Sequence, residues 1–489
     1  MKKQNFFQRL VFGFTAMPRK SAPVPEKRRG GIKAFYEEGV YAQIWITLTS
    51  GKYLADLALF LGAAAIHLGF INAIPFFAAS AQLLGARILS RVGSRKKVLL
   101  PAAFIARESW WLILAVLFLP VPRTIKLWIF ISLLMISHVA GQISGNAWLS
   151  WLSDLLPTRM RGSIIAKRNG LLILVAIGAD FFFSQVRQLF GEEMRFTSIV
   201  VTITVACIFG AKSIFAFQNQ WEPPGEKSVI PSLGQVWKAC MKKTSVRRLM
   251  VGLTFWNLAI GVPVSFWAPH MLTNLEMSFT SIFIYSSIVT VFNFIMSRYI
   301  WGPVIDKAGT LSVIVFCSLV ISVIPLFWFF ITADDLTLIW FEAGLNGLMW
   351  SGFNVAAFNM PFSVLPKKKR PHYFAMLATV SGLGLGLGAL MGGVIAQNLQ
   401  GMKFEIMNRT YVNYHVTFLI SAILRLLCVL LLRRIPDSQY RGMVFMFQTM
   451  GDGLVRLRSN PRFFFYARLN GLKKKFQATT KQETFTTKP

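Results

Sequence analysis

One short pattern occurs twice in this chain, about 210 residues apart, and that duplication constrains what the chain can fold into. The first copy reads Arg91-Val92-Gly93-Ser94-Arg95-Lys96 and is followed by Leu156-Pro157-Thr158-Arg159-Met160-Arg161. The second reads Gly302-Pro303-Val304-Ile305-Asp306-Lys307-Ala308-Gly309 and is followed by Leu365-Pro366-Lys367-Lys368-Lys369-Arg370. The interval from loop glycine to Leu-Pro is similar in both. Just before each Leu-Pro comes a second echo, Ser144-Gly145-Asn146 in one half and Ser351-Gly352-Phe353-Asn354 in the other.

The segments between these copies are apolar. The 489 residues are 54% hydrophobic, 14% aromatic and only 15% charged, too greasy a composition for a soluble protein of this length. Runs long enough to cross roughly 30 Å of hydrocarbon recur along the whole chain. Alternating apolar and polar strands are absent, which excludes a transmembrane β-barrel. The reading is an all-α membrane protein with twelve spans: about 39–62, 67–89, 98–120, 125–155, 163–188, 196–218, 248–271, 279–301, 310–332, 336–361, 372–396 and 412–433. Two six-helix halves follow, 37–218 and 248–434, joined by a linker at 219–247. A basic amphipathic segment at 1–36 precedes them and a basic tail at 435–489 follows.

The formal charge of +32 would suit a nucleic-acid binder, but the positions of the charges do not. Basic residues sit at the ends of apolar segments, and no aromatic-plus-basic recognition module appears. The loops after even-numbered spans hold most of them: Arg91 to Lys97, Arg159 to Arg161, Lys238 to Arg248, Lys307 and Lys367 to Arg370. The opposite loops are short and carry acids such as Glu192, Glu193, Asp334 and Asp335. By the positive-inside rule both termini are then cytoplasmic. Arg9 interrupts the first apolar stretch, so residues 1–36 do not read as a signal peptide. Phe6, Phe7, Leu10 and Phe14 share one helical face, which suits a helix lying on an anionic leaflet. The cysteines Cys207, Cys240, Cys317 and Cys428 are scattered without metal-ligand spacing and read as small core residues. No metal or cofactor is expected, and no Walker A pattern or catalytic constellation points to an enzyme.

The loop pattern resembles the signature of the major facilitator superfamily, Gly-x-x-x-Asp-Arg/Lys-x-Gly between the second and third helices of each half. Gly302, Asp306, Lys307 and Gly309 match it; the first copy keeps Arg91, Gly93, Arg95 and Lys96 but has Ser90 where the acid belongs. A group of bacterial members is similar in a further motif, Trp-x-x-Trp-x-x-Asp-Leu-x-Pro-x-x-x-Arg-Gly. Here it reads Trp148, Trp151, Asp154, Leu155, Pro157, Arg161 and Gly162. The resemblance covers all twelve spans. It implies two six-helix halves that rock about a central site, in a bacterial inner membrane and as a monomer. It also implies that helices 1, 4, 7 and 10 line the cavity and that the loops latch the halves on the cytoplasmic side. The latch candidates are Arg91, Gly93, Arg95, Asp154, Arg161, Gly302, Asp306, Lys307, Gly309 and Arg370.

Polar residues inside the spans cost about 2.5–3.5 kcal/mol each to bury in lipid, so each needs a reason. Helix 1 carries Lys52 and Asp56, four apart and able to pair. Helix 4 carries His138, Gln142 and Asn146, and helix 10 carries Glu342, Asn346, Trp350 and Asn354, both at steps of four. Helix 7 offers Asn257 and Ser265, with Gly261 between them and Pro263 able to bend the helix. Aligned on Leu-Pro, Asn146 corresponds to Asn354, so the two repeats present matched stripes. The competing reading of these stripes is polar glue between helices. Arg107, Glu108, Asp180, Lys212 and Arg425 lie on helices the resemblance places mostly outside the cavity, and structural ion pairing is expected of them. Gly384, Gly388 and Gly392 recur every four residues in helix 11 and make a smooth face for close helix contact.

The expected function is secondary transport of a small polar or amphipathic solute by alternating access, with proton coupling open to Asp56, Glu342 and His138. A lipid or lysolipid translocator of the same fold is one alternative. A non-transporting assembly or receptor subunit is the other. The partners expected are the lipid bilayer and an unidentified solute, with no nucleic acid.

Overall fold

A computed structural model describes residues 26–155, 161–218, 220–222, 233–365, 370–406, 409–437 and 440–459. The amphipathic face at Phe6 to Phe14, the Trp-motif proline Pro157 and the basic run Lys367 to Lys369 lie outside the described residues, as do the side chains of Asp154, Arg161 and Arg370.

The described chain is helical apart from one two-stranded hairpin. In the first half α1 (Glu26–Leu48) and α2 (Gly51–Phe60) run on from one another, as do α3 (Ala65–Ala78) and α4 (Ala81–Val92). Then come α5 (Arg95–Phe118), α6 (Arg123–Leu155), α7 (Arg161–Phe190) and α8 (Arg195–Gln218). A linker helix α9 (Leu233–Lys242) leads to the second half: α10 (Thr244–Val264), α11 (Trp267–Thr273) and α12 (Phe279–Met296). A π-helical turn at Ser297–Trp301 joins α12 to α13 (Gly302–Ala308). The rest is α14 (Thr310–Phe327), α15 (Thr337–Val364), α16 (Arg370–Asn398), the hairpin β1 (Lys403–Ile406) and β2 (Arg409–Val412), α17 (Asn413–Leu432) and α18 (Met443–Ser459).

Among the described residues nine helices are long and apolar enough to cross a membrane, which makes this an integral multi-pass membrane protein. α1 with α2, α3 with α4, and α15 fall short of that measure because they are broken or carry charged and amide side chains. The first helix also starts well before the expected residue 39, at Glu26. Ile32, Phe35 and Tyr36 are buried in the bundle, and Glu38 with them. A helix boundary placed by hydropathy missed these first turns because their charges depress the average although their apolar face packs inward.

Three large apolar cores organise the packing. One lies within the first half and joins Phe35 and Val40 to Trp151 and Leu155. One lies within the second half and joins Trp256 and Trp301 to Cys317 and Phe353. The third is shared: Leu57, Leu61 and Ile71 of the first half meet Phe266, Met271, Trp328 and Phe418 of the second. The halves are therefore sealed together at the end that carries the short loops after α2, α7 and α11. Towards the basic loops each half has its own core. α3 reaches across to α16 and α7 to α12, whereas α4 packs on α5 and α6 of its own half.

Glycines set how closely these helices approach. A Cβ on Gly69 of α3 would stand 2.9 Å from the Gly393 Cα of α16, so the two halves touch backbone to backbone there. On another face of α16, Gly384, Gly388 and Gly392 lie against the carbonyls of Thr254, Leu258 and Val262 of α10. The expected smooth face is thus a contact within the second half. All four cysteines are free and buried.

Candidate functional site

The charges of α2 do not pair with each other, contrary to the four-residue spacing. Lys52 forms an ion pair with Asp180 of α7 at 2.9 Å and donates to the Ser184 hydroxyl at 2.7 Å. Its third bond, 3.1 Å to the Phe279 carbonyl, crosses to the second half at the start of α12. The Tyr53 hydroxyl also donates to Asp180, at 2.9 Å. Asp56 instead accepts from Arg195 at 2.6 Å and from Arg187 at 3.4 Å. A buried ion is stable only when several donors or acceptors surround it, and α7 and α8 supply more of them than one neighbour on the same helix can. This set is part of the sealed end, where it adds a polar tie between halves to the shared apolar core.

The two amide stripes are spent differently. On α6, Gln142 accepts from Gln82 of α4 at 2.6 Å, and Asn146 packs beside Gly85 of the same helix. His138 is half-buried. On α15, Asn346 donates to Glu342 at 3.0 Å and to the Tyr285 hydroxyl of α12 at 3.2 Å. Glu342 is fully buried and has no cation partner among the described residues. Trp350 meets Phe353 edge-on, and Asn257 donates to its own helix at Leu253. Ser265 is buried with an unpartnered hydroxyl among the described residues. Asn146 and Asn354 make no hydrogen bond between described residues, and Asn354 is exposed. The sequence had marked the stripes but not Tyr285, since a tyrosine in an aromatic-rich span carries no distinguishing signal.

The loop signatures close helices, and each is fastened by an acid that sequence reasoning overlooked. Gly93 ends α4 with φ 73°, a conformation glycine adopts without strain, and Gly309 ends α13 with φ 86°. Glu222, just past α8, accepts from the Arg95 amide at 2.6 Å and the Ser94 hydroxyl at 3.1 Å. Asp437, just past α17, accepts from the Thr310 and Leu311 amides at 2.9 Å each. Glu222 and Asp437 are separated by nearly the same interval as the two loop glycines, so they belong to the repeat. Both satisfy first-turn amides from outside the helix, beside the N-cap residues Ser94 and Gly309. Arg95 is buried and its Nε donates to Ser150 at 3.0 Å, while Arg91 is exposed. Asp306 and Lys307 are exposed, and Asp306 makes no ion pair among the described residues. Gly302 lies where the π-helical turn passes into α13. The echo at Gly352 has a packing cause, because a Cβ there would strike Cys317 and the buried Trp301; Gly145 has open space and no such cause.

Asp437→Ala should therefore lower stability by about 1 kcal/mol, the usual worth of a side chain that satisfies first-turn amides. Asp306→Asn should leave it unchanged. Thermal unfolding in detergent checks both, and an equal loss for the two would contradict this assignment.

Of the remaining intramembrane ions, Asp180 pairs with Lys52 as above. Arg107 pairs with Glu38 at 3.2 Å, and Glu38 also holds Arg168 at 3.0 Å. Two others make no ion pair among the described residues: Arg425 donates to the Ile321 carbonyl at 3.2 Å, and Lys212 stands 5.1 Å from the Phe209 ring. Glu108 has an Oε1 buried without a partner among the described residues. No group of three or more His, Cys, Asp or Glu that could hold a metal occurs among the described residues.

Residues 288–467 match the model of the Major Facilitator Superfamily. Among solved structures the chain is similar to a bacterial homolog of the human lysosomal transporter Spinster in an inward-facing, unoccupied conformation, at TM-score 0.55 and 14% identity, over 88% of this chain and 98% of that one. The fold is that of the major facilitator transporters. The nucleoside transporter NupG has TM-score 0.56 at 13% identity, over 84% of this chain and 99% of its own. The xylose transporter XylE from E. coli, in an inward-open conformation, has TM-score 0.56 at 13% identity, over 90% and 99%. No curated protein matches the sequence.

Proposed function

We propose that this protein is a secondary transporter of a small polar or amphipathic solute, working by alternating access, and that the state described is open to the cytoplasm. The observation that carries this reading is the asymmetry of the cores: the halves share one apolar cluster at the short-loop end and keep separate clusters towards the basic loops. A bundle of two halves joined at one end only is half of a rocking cycle. The basic loops orient the open end to the cytoplasm. Two of the similar structures are likewise described as inward-facing or inward-open. Counting α1–α2, α3–α4 and α15 as the three broken or polar spans gives twelve.

We assign Asn146 and Asn354 to the solute, because their amides are not consumed by neighbours. Gln142 and Asn346 are assigned to the framework that holds the two helices. Glu342, buried among neutral groups, is the group we assign to proton coupling.

Uptake by proteoliposomes from a metabolite mixture, read by mass spectrometry, tests the reading. Accumulation of at least one solute is expected, and none under any imposed ion gradient would overturn it. With that solute in hand, Asn146→Ala and Asn354→Ala should each weaken apparent affinity by about 1 kcal/mol, the worth of a hydrogen bond. Gln142→Ala and Asn346→Ala should instead lower stability by about 0.6 kcal/mol. Affinity unchanged at Asn146 and Asn354 would remove them from the site.

A further inference from the structure

At the basic-loop end of the second half, three arginines from two helices line one cleft. Arg247 and Arg248 stand near the start of α10, and Arg434 lies just past the end of α17. The cleft between them measures about 470 Å³, within the range of small-molecule sites, and Val251 and Leu431 complete its lining. All three arginines are exposed, so their guanidinium groups are open to a ligand. Lys242, Lys243 and Arg433, also exposed, adjoin them in the chain.

Packing, not pairing, brings these charges together. Gly252 lets α10 and α17 approach, since a Cβ there would stand 3.3 Å from Leu432 and 3.5 Å from Ile435. Arg248 reaches across the seam, and its Nη1 donates to the Arg434 carbonyl at 3.5 Å. Among the described residues that is the one hydrogen bond the three side chains make, and none of them is in an ion pair. Asp437, three residues beyond Arg434, is turned to the Thr310 and Leu311 amides. Like charges held around one cleft repel. Arg247 also sits in the first turn of α10, where the helix dipole disfavours a cation. An anion in the cleft relieves both.

The position of the cleft selects the anion. Val251 is 37% exposed within a segment long and apolar enough to cross a membrane, and Leu431 is in the last turn of another. Apolar surface therefore continues from the arginines towards the depth of the bilayer. A free anion gains nothing from that surface, whereas a phospholipid presents a phosphate to the arginines and acyl chains below it. Guanidinium groups suit phosphate oxygens because each offers paired N–H donors.

We infer that this cleft binds an anionic phospholipid of the leaflet on the basic-loop side. Arg247, Arg248 and Arg434 hold its head group, and Val251 and Leu431 lie against its chains. The site belongs to the second half alone and uses neither Asn146 nor Asn354, so it stands or falls separately from the transport reading.

The test uses purified full-length protein in detergent, titrated with phosphatidylglycerol or with phosphatidylcholine of the same chains and read by native mass spectrometry. Phosphatidylglycerol is expected to bind about tenfold more tightly, or better. Arg247→Gln combined with Arg248→Gln and Arg434→Gln should weaken it at least about tenfold and leave phosphatidylcholine unaffected. A control triple, Arg87→Gln with Arg91→Gln and Lys97→Gln, removes three exposed charges from the basic-loop end of the first half. It should stay within about twofold of wild type. Because the cleft arginines are exposed, thermal unfolding without lipid should stay near wild type. If the triple variant does not fold, Arg434→Gln alone should weaken binding about threefold. Equal binding of the two lipids overturns the proposal, as does an equal loss in the two triple variants. Displacement of the lipid by millimolar inorganic phosphate would mark a free-anion site and overturn it too.

Discussion

Asp56→Ala should destabilise the protein by about 3 kcal/mol, the low end of what is lost when one partner of a buried ion pair is removed. Asp56 is 5% exposed and is the carboxylate between Arg187 and Arg195. Arg187 keeps a bond to Glu192, but that acid is solvent-exposed and screened, so it compensates poorly. Arg195 loses its 2.6 Å partner and retains Glu192 only at 3.7 Å. Thermal unfolding in detergent reads the loss. Lys52→Met should cost less, because Asp180 keeps its hydrogen bond from Tyr53. It removes the bond to the Phe279 carbonyl, however, so cysteines on the short-loop side of α2 and α12 should become more reactive. Equal stability of Asp56→Ala and wild type would mean that the arginines find water or other partners, and the sealed end would lose its electrostatic part.

Gly392→Ala is the second large effect. The added Cβ would overlap the Val262 carbonyl of α10, a backbone atom that cannot rotate away. Overpacking of this kind costs about 1–3 kcal/mol where the helices can shift apart, and occasionally more. Gly388→Ala should behave alike, as its Cβ would meet the Leu258 carbonyl. Gly145→Ala is the control: nothing lies within 4 Å of its Cβ, and alanine is the better helix former. The yield of monodisperse protein and its unfolding temperature separate the cases. A Gly392→Ala protein as stable as the Gly145→Ala protein would rule out the close seam between α10 and α16.

Much of the architecture was legible in the sequence because the bilayer imposes simple rules. A helix must be long and apolar to cross it, and basic loops stay on one side. The duplicated loops and the alternating charge followed from residues that can be counted. The glycine step in α16 was legible too, since a small residue every fourth position defines one face whatever lies against it. Spacing also put Glu342 and Asn346 on one stripe of α15, where they meet at 3.0 Å.

Partners were another matter. Lys52 and Asp56 stand on the same helix at the spacing that allows pairing, yet each is taken by α7 or α8. Glu38 lay just outside the expected first span and only becomes notable once Arg107 and Arg168 converge on it. Glu222 and Asp437 looked like linker and tail acids, although they hold first-turn amides of the third helix of each half.

The sequence by itself determined the solvent of this protein, its repeat and the face on which each polar residue sits. Only the tertiary structure decided which charges meet and which end of the bundle is sealed. The reason is physical: hydropathy and helical period are properties of one segment, whereas a buried charge is settled by whichever neighbouring helices bring the most donors and acceptors to it.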